Sequence, residues 1–208
     1  MESNVGTNTV RVVPVLHSVR AWALAGIVAA LGGVGGVVLF QDEGSLAGQD
    51  TRLRVCAALG MIGVAGLVVF VSGLRAYMDE QTPVGSMTGR IAQCGGLIAA
   101  TTLFVGYLLK LIVAGYTDKI TGAADLVVRN GLDNLSTGAW AALALMMLAV
   151  SVAAIRHAAL PRWLGWLSGV LGSLIAVATV AGAPQAGFLA GAAWLLVASA
   201  SMLRARGS

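Results

Sequence analysis

Charge is what this chain lacks most. Of its 208 residues only 11% are Asp, Glu, Lys or Arg, about half the share usual in a soluble domain. With 58% hydrophobic residues and a mean hydropathy of +0.86, a soluble fold of this size could not hide its apolar surface. Cysteine is scarce too. Cys56 and Cys94 stand alone inside apolar runs, with no CxxC and no Cys/His cluster, so zinc and thioredoxin-like chemistry have no support. The two are expected to be unbonded packing residues, because they enter their helices from opposite ends. Histidine occurs twice, as His17 and His157, each at the edge of an apolar run. Axial ligands for a haem buried between helices are therefore missing. There is no HExxH, no P-loop and no GxSxG pattern. The basic residues are scattered singly at the ends of apolar runs, so the net charge of +4 is no nucleic-acid signal. No catalytic residue, cofactor site or metal site is expected.

What the chain does have is six long apolar runs. The reading is all-α: a polytopic membrane protein, a six-transmembrane-helix bundle. The spans are placed at 21–40, 55–74, 91–113, 136–155, 163–181 and 184–203. Each is long enough to cross about 30 Å of hydrocarbon at about 1.5 Å per residue. Residues 1–20 form an N-terminal segment and 204–208 a tail. Asp50 or Thr51 is the expected cap of the second span, Ser86 or Thr88 of the third, and Asn134 or Ser136 of the fourth. Between spans three and four, Ile120, Ala124, Val127, Gly131 and Leu135 share one helical face. Asp125, Arg129 and Asp133 share another, at a spacing that allows pairing. This predicts a short amphipathic helix lying on the membrane surface.

Threading follows from the basic flanks. Arg11, Arg20, Arg75, Arg90, Arg156, Arg162, Arg204 and Arg206 fall on one side. Arg52, Arg54, Lys119 and Arg129 fall on the other. The positive-inside bias then places both termini in the cytoplasm.

The chain turns most sharply at Leu160-Pro161-Arg162-Trp163-Leu164-Gly165-Trp166. Pro161 ends one helix and can open the next, the arginines bracket the turn, and the tryptophans suit headgroup depth. This segment resembles a turn found in uncharacterised six-span bacterial integral membrane proteins. The resemblance covers the last third of the chain. It implies a multi-pass setting in the bacterial inner membrane and carries no activity.

Lys110 is the one charge well inside a span, and no carboxylate lies in any span. It sits nineteen residues beyond the start of the third span, near the far edge of the core. Its long stem is therefore expected to snorkel to the headgroups. The sharper alternative turns it inward, on the face shared with Gly106 and Tyr107, to meet Asp125 or Asp133. Lys110, Tyr107, Thr101 and Thr102, with Ser173, form the substrate path such a reading requires. Gly32/Gly36, Gly165/Gly169 and Gly187/Gly191 have GxxxG spacing, which suits close helix packing inside the bundle or against another chain. No repeat relates the two halves.

Three functions compete. The first is a non-catalytic accessory or oligomerising membrane subunit, with the lipid bilayer and a membrane protein partner or second copy as its contacts. The second is a small permease for an apolar or amphipathic solute. The third, a membrane enzyme, is least favoured by the missing motifs.

Overall fold

The structure is a computed structural model that describes residues 16–38, 49–83, 86–120, 122–183 and 185–204. Among them are six α-helices and no strand: α1 Leu16–Val38, α2 Asp50–Gln81, α3 Thr88–Ala114, α4 Ala123–His157, α5 Arg162–Val180 and α6 Gln185–Arg204. A single 3-10 turn, Thr117–Lys119, precedes α4. All six helices are long and apolar enough to cross a membrane.

Neighbours in sequence are neighbours in space, and α1 meets α6 to close the ring. Consecutive helices run antiparallel, as their close approaches show. Gly32 faces Gly63 while Gly73 faces Trp22; Gly95 faces Met146 while Gly106 faces Leu135; Gly165 faces Ala154 while Gly172 faces Met147. The short connections leave little alternative.

Several helices outrun the expected spans. α2 reaches from Asp50 to Gln81, adding five residues before 55 and seven after 74. Asp50 does not cap it. Gln49 holds the cap position without capping the helix through its side chain, and Asp50 lies in the first turn, where its charge favours the helix dipole. At the far end Thr82 returns both its N–H and its Oγ1 to the Met78 carbonyl, each at 2.9 Å, and Pro83 prevents further helix. α3 opens at Thr88 behind Met87. Ser86 and Thr88 bond each other through their hydroxyls at 2.8 Å instead of capping cleanly.

The largest departure concerns the expected surface helix. Residues from Ala123 run without interruption into the fourth span as one 35-residue helix. No proline separates the two parts, and Gly131 alone costs only about 1 kcal/mol, too little to break a helix packed along most of its length. The helix therefore runs on through positions 134 and 136, so no helix starts where the fourth span was expected to. The side chains of Arg129 and Asp133, and hence their pairing with Asp125, lie outside the described residues, as do residues 1–15, Pro184 and the 205–208 tail.

α4 ends on Ala158, which takes the left-handed conformation at φ 52° and donates its N–H to the Ala153 carbonyl. Pro161 then stands just ahead of α5 rather than inside it. Its carbonyl accepts from Leu164 and Gly165 at 2.9 and 3.2 Å, which starts the next helix.

Candidate functional site

Each helix contributes small residues to the bundle interior, and their faces decide how closely the backbones approach. A Cβ placed on Gly32 would lie 2.7 Å from the Gly63 nitrogen, and one on Gly66 would lie 2.6 Å from the Ala25 carbonyl oxygen. α1 and α2 thus meet backbone to backbone, a contact only glycine permits. The GxxxG pairs all pack inside the chain. Gly32 faces Gly63; Gly165 and Gly169 face Ala154 and Ser151 of α4; Gly187 and Gly191 face Ile175, Trp140 and Leu143. Gly60, Gly63 and Gly66, which carry much of the packing, are spaced by three and so do not form a GxxxG pattern.

Where five helices converge they leave a central cavity of about 40 Å³. Ala30 and Gly33 of α1, Gly63 of α2, Ala99 of α3 and Gly191 of α6 make its small-residue wall, and Trp140 of α4 and Phe188 of α6 its aromatic one. The two rings meet edge to face at 5.7 Å. α5 contributes nothing to the lining and stands outside the five. It is held by a narrow buried stripe (Leu164, Gly165, Ser168, Gly172, Ile175) and by one polar link. Ser168 Oγ donates to the Leu164 carbonyl at 2.7 Å and accepts the indole N–H of fully buried Trp194 at 2.8 Å.

Tyr107 borders the cavity and is itself only 4% exposed. Its ring occupies a slot vacated by two missing side chains. A Cβ on Gly60 would fall 2.2 Å from the ring, and one on Gly36 would fall 3.0 Å from its hydroxyl. One turn on, Lys110 is 7% exposed, with Nζ 5.4 Å from the Tyr107 centroid. Lys110 is thus packed against other helices and not exposed on the outer face of the bundle. It continues the buried stripe of α3 that runs through Ala92, Gly96, Ala99 and Tyr107. The cation–π contact is worth about 0.5–2 kcal/mol, which helps hold the stem inward. Beside it the Cys56 thiol donates to the Gly36 carbonyl.

The other expected path residues do not join this site. Thr101 and Thr102 each return the hydroxyl to their own helix, to Leu97 at 2.9 Å and Ile98 at 2.8 Å. Thr101 is exposed, and so is Ser173, on α5. Of the expected path residues only Tyr107 lines the cavity, with Lys110 adjacent. Cys56 is buried, Cys94 is exposed, and both are free thiols.

Spacing rules missed a second polar cluster. At the opposite end of α2 and α3, Arg75 Nε bonds Asp79 at 3.2 Å and its Nη1 bonds Gln93 across the helix gap. Gly89 leaves room for the Asp79 carboxylate. The i,i+4 relation of Arg75 to Asp79 was visible in the chain; the reach to Gln93 needed the fold. Among the described residues no three His, Cys, Asp or Glu side chains gather as a metal site would require.

No family model matches the chain, and searches of curated proteins and of solved structures return no match.

Proposed function

We propose that this chain is a multi-pass protein of the bacterial inner membrane, with both termini cytoplasmic, that acts without catalysis as an accessory or oligomerising subunit. Six helices of spanning length and apolar composition support the membrane setting. The observation that carries the functional reading is the size and chemistry of the central space. At about 40 Å³ it holds a water-sized group or two, whereas an apolar cavity that takes up benzene measures about 150 Å³. Its walls offer almost no hydrogen-bonding partner, so water gains nothing by entering. A bundle packed this closely presents its chemistry on the outside, towards lipid, a partner or a second copy.

One observation favours a second reading, a small permease for an apolar or amphipathic solute. A charged side chain turned into a membrane bundle is a common pointer to a transport path, and Lys110 is so turned, next to the cavity. For this reading the helices must part around Tyr107, because a space of about 40 Å³ is too small for such a solute.

Two measurements separate the readings. The mass of the purified protein in nanodiscs, with co-purification from its native membrane, is expected to show a stable partner or a second copy. Thermal unfolding against a panel of small amphipathic solutes is expected to show no shift. A saturable, solute-dependent rise in melting temperature that Tyr107→Trp abolishes would put the permease ahead.

A further inference from the structure

Every Asp and Glu in the chain lies at or before Asp133; the last 75 residues contain neither. That stretch nevertheless carries Arg156, Arg162 and Arg204, all exposed. Among the described residues neither Arg156 nor Arg162 forms an ion pair. Arg75 behaves differently, neutralised by Asp79 on its own helix.

The turn between α4 and α5 fixes the backbone on which two arginines stand. Ala158 reverses the chain, Ala159 and Leu160 are tucked into the core at 3% and 5% exposure, and Pro161 starts α5. Arg156 and Arg162 are left at the surface on either side. Arg156 sits in the last turn of α4, where a cation suits the helix dipole. Arg162 is the first residue of α5, where it does not, and no side chain caps that end. Among the described residues no ion pair holds Arg162 at that position. An anion at this turn would find an exposed arginine on each side of it along the chain, and the first amides of α5, ahead of those that bond the Pro161 carbonyl. Trp163 and Trp166, 54% and 64% exposed, flank the same place with rings that favour the headgroup layer.

We propose that the α4–α5 turn binds the headgroup of an anionic phospholipid. This inference rests on the membrane reading above and is independent of the choice between subunit and permease. The test uses the full chain in phosphatidylcholine nanodiscs, with phosphatidylglycerol added in steps and bound lipid counted by native mass spectrometry. About 1 kcal/mol per basic residue near an anionic surface corresponds to about five-fold in affinity. Arg156→Gln with Arg162→Gln should weaken phosphatidylglycerol binding about 25-fold. Arg54→Gln, an exposed arginine at the other end of the bundle, should leave it unchanged. Melting in phosphatidylcholine alone should match the parent for both variants, because the replaced side chains are exposed. Equal retention of the two lipids, or a double variant that binds like the parent, overturns the proposal. So does full competition by free glycerol phosphate, which would make this a phosphate site and not a lipid one. A chain that fails to enter nanodiscs at all overturns the membrane reading itself.

Discussion

α1 and α5 are alike in being strongly apolar helices of spanning length, yet the bundle holds them in different ways. α1 lies backbone to backbone on α2, at Gly32, Gly63 and Gly66, and lines the central cavity. α5 touches α4 and α6 through one narrow buried stripe and the Trp194–Ser168 bond, and never reaches the cavity. The difference shows that a shared apolar composition says little about a helix's place. Small residues set how closely two backbones approach, and that approach decides which helices belong to the inner ring.

Tyr107→Ala should damage the inner ring most. It empties the slot between Gly36 and Gly60 and removes the ring beneath Lys110. The loss should be about 2–4 kcal/mol, mostly packing, since an unfolded membrane segment still lies in apolar surroundings. Thermal unfolding in mild detergent would show it. A melting temperature equal to the parent's would mean that the ring is not seated where the structure puts it.

The glycines give a paired test of the seam. Gly63→Ala places a methyl 2.8 Å from the Gly33 nitrogen, and backbone cannot swing aside as a side chain can. A loss of about 2–3 kcal/mol is expected, with α1 the first helix to become accessible to protease. Gly33→Ala is the opposite case. It borders the cavity and its new methyl meets nothing within 4 Å. Filling part of an empty space and improving helix propensity should together stabilise by about 1 kcal/mol. If both alanines act alike, the crossing of α1 and α2 is misplaced.

The attachment of α5 should be softer. Trp194→Phe keeps the edge-to-face packing on Phe70, at 6.2 Å in the parent, but deletes the donor to Ser168. Ser168 keeps its own bond to Leu164, so no buried group is stranded. About 1 kcal/mol should be lost, and hydrogen exchange should quicken in α5 more than in α1. Equal quickening in both would dissolve the distinction between inner and outer helices.

Six apolar helices and their order could be read from the chain before any fold was known, because the requirement for some twenty apolar residues per crossing is local. The turn at Pro161 was equally plain, since proline and the arginines around it act on their own neighbours. The separate surface helix was misread. Its polar face looked like an ending, but without a breaker the hydrogen-bond ladder simply continued from Ala123 to His157. The inward turn of Lys110, the slot for Tyr107, the role of Gly60 and Gly63 and the reach of Arg75 to Gln93 belong to the tertiary structure alone. A helix apolar on every side has no pattern that says which face meets its neighbours. Its rotation about its own axis is settled only when the small residues of two helices find each other, and that rotation determines what the interior contains.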